Sequence, residues 1–219
     1  MDARDLLRGS LLQLAKMNRV RDVVEKAPVS RSVVRRFVAG ATVADAVRAT
    51  GQLATVGRAS TIDYLGEDTT HLDQARHTRD TYLTLWRDLS ARGLADGAKA
   101  EVSVKLTALG LHLPDGPAVA LEHAREIAQA ALDAGTTMTV DMEDHTTTDA
   151  TLEVVRELRE DFPSTGAVLQ SYLRRTPGDR RDLAYAGSRI RVCKGAYTEP
   201  ESGAYQTHTG GGQANGRHV

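Results

Sequence analysis

Charged and amide side chains stand at or near the ends of several short apolar runs in this 219-residue chain. Lys105 follows the run EVSV, Asp141 follows TMTV and Gln170 ends GAVLQ, while Arg191 lies within RIRVC. Such groups can bind a charged ligand or one rich in hydrogen-bonding atoms. If the runs are parallel strands, their carboxyl ends meet at one edge, and the sequence then predicts a polar site there.

Lys105 is the most unusual of these residues, because it lies on the opposite side of its strand from Val102 and Val104. In a parallel sheet covered by helices neither face is wet in mid-strand, so the lysine must lie near the strand end or have a partner. We expect Asp141 to be that partner if the two strands are neighbours, and such a buried ion pair indicates a site more than stability. The alternative is a lysine that extends along the sheet surface to solvent.

The last apolar run leads into Lys194 and Gly195. Arg191 places a charge within the run, and Gly195 allows a ligand or another backbone to approach closely. Gln170 offers donors and an acceptor that suit the edge of a heterocycle, although ordinary hydrogen bonding at a strand end is the alternative. No G-x-G-x-x-G, G-x-S-x-G or H-E-x-x-H motif accompanies these residues.

Composition narrows the class of protein. The 28 basic and 29 acidic residues give a formal net charge of −1, which indicates neither nucleic acid nor a polybasic membrane surface as a partner. The single cysteine excludes an internal disulfide framework and fits a reducing cytoplasm. The N-terminus has no signal-peptide pattern, and no stretch approaches the ~20 apolar residues of a membrane-spanning helix. We therefore expect a soluble cytoplasmic protein, with peripheral contact to the inner face of the membrane left open.

The order of the predicted elements indicates the fold. Residues 1–36 form a helical segment in this interpretation, strand and helix then alternate about six times over residues 37–207, and residues 208–219 form an unstructured or aberrant tail. The first of the six strands is FVAG, at 37–40. Such alternation predicts an α/β fold, and two architectures compete. A doubly wound sheet would normally have a glycine-rich phosphate loop, so we favour an incomplete (β/α)₈ barrel of the TIM type.

Five stretches, in order and at fitting spacing, resemble the proline dehydrogenase family. They are TIDYLGE at 61–67, VSVKLTALGL at 102–111, TVDMEDHTTTDATLEVVREL at 139–158, AVLQSYLRRT at 167–176 and RIRVCKGAYTEP at 189–200. The resemblance covers about residues 1–207. It implies a distorted (β/α)₈ barrel that binds FAD noncovalently and oxidises L-proline to Δ1-pyrroline-5-carboxylate. Electrons then pass to a quinone or another acceptor.

The resemblance also implies roles for individual residues. Lys105 corresponds to the lysine beside the substrate carboxylate, and Asp141 to an acid that pairs near it. Arg191 corresponds to the arginine beside flavin N5, and these three residues are the predicted catalytic set. The predicted cofactor-binding positions are Gln170, Arg191, Val192, Lys194 and Gly195.

The sequence departs from the family pattern after residue 207, where two more βα units and an arginine pair that clamps the proline carboxylate are expected. A bidentate arginine clamp is hard to replace. We therefore expect a truncated proline dehydrogenase. Two other hypotheses stay open: a non-catalytic remnant without turnover, and a different barrel enzyme that acts on a carboxylate.

Overall fold

The computed structural model describes residues 38–205; the predicted helical segment 1–36 and tail 208–219 lie outside them. The chain divides into two compact units, residues 1–49 and 50–219. Helix α1 (Val43–Thr55) begins in the first unit, and the remaining described elements belong to the second. The strands are β1 (Ser60–Asp63), β2 (Ala100–Val104), β3 (Met138–Val140), β4 (Gly166–Gln170) and β5 (Ile190–Cys193). The other helices are α2 (Leu72–Ser90), α3 (Gly116–Asp133), α4 (Thr148–Asp161) and α5 (Thr176–Asp182), with a 3₁₀ turn at Asp96–Ala98.

The predicted strand FVAG is wrong for its described part, since residues 38–40 pair with no strand there. Thr42 and Asp45 instead begin α1: the Asp45 amide donates to Thr42 Oγ1, and the Thr42 amide donates to Asp45 Oδ2, each at 3.2 Å. Gly40 packs tightly against this cap, because a Cβ atom there would lie 2.3 Å from Asp45 Cβ. The described chain therefore holds five strands rather than the six expected.

All five strands are parallel and lie in the order β1-β2-β3-β4-β5. A doubly wound sheet reverses its strand order at a switch point, whereas a barrel adds each strand beside the last. The sequential order among these five strands therefore supports the barrel.

The pleat separates an apolar face of the sheet from a polar one. The register aligns Val102 with Met138 and Val104 with Val140, and all four side chains are buried on the face that the helices cover. The opposite face carries Thr61, Asp63, Glu101, Ser103, Thr139 and Arg191. Because partners in a parallel register share a face, the alternation within each strand suffices to put the polar groups together.

The sheet is curled with its polar face inside. Arg189, directly before β5, places Nη2 2.6 Å from Glu101 Oε2 on β2, and Arg191 Nη2 lies 2.9 Å from Ser103 Oγ. In a flat sheet, β2 and β5 would be about 14 Å apart, and side chains that point away from it could not close that gap. The five strands thus form part of an α/β barrel, as the sequence predicts.

Helix boundaries follow local signals with one exception. Pro117 lies in the first turn of α3, and Gly135, with φ of 74°, follows its end. Helix α4 is the exception: the sequence pattern favours Thr148 or Asp149 as its N-cap, but the N-cap is Thr147. Asp149 instead lies 2.7 Å from Arg175 in an ion pair, which lowers the pKa of its carboxyl group.

Candidate functional site

Lys105 lies just beyond β2 with its side chain only 15% exposed. Its Nζ is 3.4 Å from Asp63 Oδ2 and 3.2 Å from Glu67 Oε1. The predicted ion pair with Asp141 is therefore wrong, although β2 and β3 are neighbours as that prediction required. Asp63 aligns with Ser103 on the other side of β2, so β1 and its following loop supply the carboxylates.

The charge state of Lys105 follows from these neighbours. Burial alone would lower the pKa of Lys105, but Asp63 and Glu67 raise it above its ordinary value. Burial is the largest cause that raises the pKa of Asp63 above its ordinary value; the nearby Asp141 adds to the rise and Lys105 opposes it, so this carboxylate also carries a desolvation cost. Lys105 is thus a cation at neutral pH, held at the rim of the barrel between two acids.

Arg191 and Asp141 form a second charged pair on the polar face. Arg191 Nη2 lies 3.4 Å from Asp141 Oδ1, and the arginine side chain is 41% exposed. The Asp141 amide donates to Val104 O at 2.8 Å, so backbone pairing continues one residue beyond β3. Asp141 therefore lies at the strand end as predicted, but its ion-pair partner is Arg191 on β5 rather than Lys105.

Gln170 ends β4 and is buried. Its Nε2 donates to Met142 O at 3.3 Å, which orients the amide group. Its Oε1 has no hydrogen-bond partner within residues 38–205. A buried acceptor of this kind is costly unless a donor reaches it, so Gln170 is a candidate for contact with a ligand.

The remaining predicted site residues lie in β5 or directly after it. Lys194 is exposed and Val192 is half-buried on the opposite face of β5 from Arg191. A Cβ atom on Gly195 would lie 1.8 Å from Cε1 of Tyr172, so the tyrosine ring occupies the space that the glycine leaves open. The predicted close approach at Gly195 is thus made by Tyr172 on that side of the backbone.

Three acids around Lys105 and Thr107, namely Asp63, Glu67 and Glu143, were not among the predicted site residues. Asp63 could have been suggested by the alternation in STID, which puts it on the polar side of β1. Glu143, only 3% exposed, accepts hydrogen bonds from the Thr107 amide at 3.1 Å and from Thr107 Oγ1. Glu143 therefore joins the loop after β3 to the loop after β2, which carries Lys105.

Glu143→Gln should change how stability depends on pH. Burial raises the pKa of Glu143 above its ordinary 4.5, although the hydrogen bonds from Thr107 oppose this shift. The folded state therefore holds this proton more tightly than the unfolded chain, and the free energy of unfolding falls as pH rises from 4.5 toward the raised pKa. We expect the glutamine variant to lose this decline, which amounts to about 1.4 kcal/mol per unit of pKa difference.

Denaturant unfolding at a series of pH values between about 4 and 8 measures this effect. Glu153→Gln, on the exposed side of α4, is the matched control and should keep the wild-type slope. Parallel curves for the wild type and Glu143→Gln would contradict the assignment.

An incomplete parallel barrel whose polar residues gather at the carboxyl ends of its strands is the architecture of a (β/α)-barrel enzyme. Within residues 38–205, no group of three or more His, Cys, Asp and Glu side chains is arranged to hold a metal ion. In the same part of the chain, no helix is both long and apolar enough to cross a membrane.

The sequence model for the family described as proline dehydrogenase matches residues 46–209. Proline dehydrogenase 1 of Bacillus subtilis (strain 168) is 33% identical over 205 residues, which cover 94% of this chain and 66% of the relative. Proline dehydrogenase of Deinococcus radiodurans is 35% identical over 203 residues, 91% of this chain and 64% of the relative. The chain belongs to the proline dehydrogenase family. It spans about two thirds of the length of these relatives.

Solved structures agree on the fold. The structure of proline utilization A from Bdellovibrio bacteriovorus, inactivated by N-propargylglycine, aligns with a TM-score of 0.74 at 23% identity. The alignment covers 84% of this chain and 23% of that much longer one. The same protein from Corynebacterium freiburgense aligns with a TM-score of 0.57 at 19% identity, over 89% of this chain and 21% of that chain.

Proposed function

We propose that the protein oxidises L-proline to Δ1-pyrroline-5-carboxylate with FAD as the hydride acceptor. The observation that carries this proposal is Lys105, a cation at the barrel rim in a chain of the proline dehydrogenase family. Arg191 and Gln170 belong to the same polar edge of the sheet. A substrate that carries one carboxylate and a cofactor rich in hydrogen-bonding atoms fits these groups.

Lys105 is proposed to bind the proline carboxylate. Its Nζ lies 3.4 Å from Asp63 and 3.2 Å from Glu67. At these distances both acids keep the lysine charged, but neither contact is short. An ammonium group has three donors, so a ligand carboxylate can share the lysine with its resident acids. Electrostatic attraction in this partly buried position is stronger than it would be in bulk water.

Three features fit the residues to a flavin. The orphaned acceptor Gln170 Oε1 can receive a hydrogen bond from an N–H group of the isoalloxazine ring. The Arg191 guanidinium supplies positive charge where a reduced flavin is electron-rich. Lys194 directly follows β5 and its side chain is exposed, so its ammonium group is accessible to a ligand at the carboxyl edge of the sheet. These residues, with the backbone at Val192 and Gly195, are the proposed FAD contacts.

The proposed reaction removes a hydride from the ring carbon C5 of proline and a proton from the ring nitrogen, and it forms a C=N bond between them. Bound FAD supplies the acceptor for the hydride. The residues of this chain bind and orient the substrate, which requires little acid–base machinery. The transfer of electrons to a quinone or another acceptor, the cytoplasmic location, and any peripheral membrane contact stay predictions, as does the catalytic domain at 37–207.

Arg191→Met should lower the reduction potential of bound flavin. Removing the cation destabilises the electron-rich reduced form relative to the oxidised form. We expect a fall of about 30 mV or more, the equivalent of about 1.4 kcal/mol for two electrons. Potentiometric titration against a reference dye measures the change.

Arg189→Met is the matched control for this substitution. Both arginines have side chains that are 41% exposed and point to the same face, but Arg189 binds Glu101 toward the amino-terminal ends of the strands. Its replacement should leave the potential unchanged. An unchanged potential in Arg191→Met would place Arg191 away from the flavin.

Flavin binding by the 219-residue chain tests the cofactor part of the proposal. We expect purified protein to carry FAD, or to bind added FAD with saturable quenching of flavin fluorescence. Protein that folds cooperatively yet binds no FAD at any accessible concentration would contradict it and would favour a non-catalytic remnant.

A further inference from the structure

Glu199 is a buried carboxylate for which the proposed reaction has no use. It lies in the loop after β5, and its side chain is 0% exposed. Its Oε1 accepts a hydrogen bond from the His145 amide at 3.1 Å and lies 3.3 Å from the Tyr172 hydroxyl. Its Oε2 contacts His145 Nδ1. One carboxylate thus joins the loops after β3, β4 and β5.

Tyr172 connects this carboxylate to the proposed flavin segment. Its ring lies against Gly195, where a Cβ atom would approach Cε1 to 1.8 Å. Its hydroxyl lies 3.3 Å from Tyr197 O as well as from Glu199. The ring therefore touches the start of the segment that follows β5, and the hydroxyl touches its middle and its end.

A buried carboxylate is tolerated only where donors replace its lost water, because an isolated charge in the interior is very costly. His145 and Tyr172, which both contact Glu199, belong to two different loops, so these contacts form only when both loops and the segment after β5 take up this arrangement. Such a group favours one arrangement of the three segments over the alternatives. Loops that carry functional residues need this kind of support, since their own backbone contacts are few.

We propose that Glu199 is a positioning residue for FAD: it holds Tyr172 against Gly195 and thereby fixes the backbone of Lys194 and Gly195 for the cofactor. His145 ties the same carboxylate to the loop after β3, which begins at Asp141. The inference rests on the proposed function for the identity of the cofactor. The geometry of the segment itself does not depend on it.

Four variants of the 219-residue chain test this inference. Glu199→Ala removes both acceptors, Glu199→Gln keeps one oxygen acceptor, and Tyr172→Phe removes the hydroxyl but keeps the ring. Glu201→Gln, an exposed acid two residues further along, is the matched control. We expect the FAD dissociation constant to rise about 30-fold or more in Glu199→Ala, with partial recovery in Glu199→Gln. Tyr172→Phe should weaken binding in the same direction, and Glu201→Gln should bind like the wild type.

A second readout needs no flavin. The Tyr172 ring should shift the NMR signal of the Gly195 amide, because the ring lies directly against that residue. We expect the signal to move toward its position in an unstructured peptide in Glu199→Ala and Glu199→Gln, while it stays in place in Glu201→Gln. If the alanine variant does not fold, the glutamine and phenylalanine variants carry both measurements.

The outcomes separate the two claims. If the wild type binds no FAD, the proposed function fails, while a shifted Gly195 signal still supports Glu199 as the group that positions the segment. If FAD binds but its dissociation constant and the Gly195 signal are the same in Glu199→Gln, Tyr172→Phe and the wild type, the inference is overturned. A uniform shift of signals across the whole chain, beyond the loops named, would overturn it as well, because it would mean general destabilisation.

Discussion

Lys105→Ala is expected to weaken binding of L-proline by about 100-fold or more while changing the affinity for FAD by less than about threefold. The substitution removes the cation proposed to bind the substrate carboxylate. It also leaves Asp63 and Glu67 without the lysine between them, so two negative charges then face the incoming carboxylate. Loss of a partner from a partly buried, hydrogen-bonded charge pair costs about 2–5 kcal/mol, which sets the expected magnitude.

Lys99→Ala is the matched control, since this lysine is exposed and lies before β2 rather than at its carboxyl end. Titration of bound flavin with L-proline under anaerobic conditions gives the substrate affinity, and flavin fluorescence gives the cofactor affinity. Equal loss of both affinities in Lys105→Ala would mean that the lysine supports the structure rather than the substrate.

Arg159→Met is expected to lower the free energy of unfolding by about 3–5 kcal/mol. Arg159 is a buried residue of α4, and its guanidinium donates to Thr165 O at 2.9 Å, Leu183 O at 3.3 Å and Arg189 O at 2.9 Å. It also stacks over the Tyr185 ring at 5.2 Å. Methionine fills much of the volume but removes three hydrogen bonds from a charged donor, each worth about 1.5–3 kcal/mol. Leu183 O keeps a hydrogen bond from Ser188 Oγ and Arg189 O keeps one from the Ala167 amide, which limits the loss.

Arg156→Met provides the control on the same helix, because Arg156 is exposed. It should change the free energy of unfolding by less than about 0.5 kcal/mol. Denaturant unfolding of both variants measures the difference. A loss below about 1 kcal/mol in Arg159→Met would show that water replaces the guanidinium at these carbonyls and that the arginine does not hold the ends of β4 and β5 together.

The position of Lys105 could be predicted from the sequence, but its partner could not. Alternation along EVSVK puts the lysine on the polar side of its strand, and periodicity is enough for that inference. The choice between Asp63 and Asp141 depends on how side chains from β1 and β3 reach a curled surface. Strand register and curvature come from packing of the whole sheet, so spacing along the chain does not reveal them.

The short run FVAG shows that an apolar pattern alone can predict a strand that does not form. Four apolar or small residues fit a buried strand, yet the described part lies in an open segment before α1. The capping interaction between Thr42 and Asp45 decides the local structure. Short apolar runs next to a strong helix start are therefore poor evidence for a strand.

Arg159 and Glu199 could not have been predicted as buried charges. Each is held by groups from distant loops: Arg159 by carbonyls at 165, 183 and 189, and Glu199 by His145 and Tyr172. In the sequence both look like ordinary charged residues of a helix and a loop. The role proposed for Arg191 rests on resemblance to the family, whereas that of Gln170 rests also on the donors and acceptor of its amide group. The structure adds the orphaned acceptor of Gln170 and the contact between Arg191 and Asp141.

Anaerobic addition of L-proline to the flavin-loaded protein tests the central claim most directly. We predict that the visible band of oxidised FAD disappears stoichiometrically with L-proline, and that a cyclic imine product accumulates when an electron acceptor is supplied. D-Proline and the Lys105→Ala variant should leave the band largely unchanged over the same period. A protein that holds FAD in a folded barrel and yet keeps the band of oxidised FAD in saturating L-proline would contradict the account.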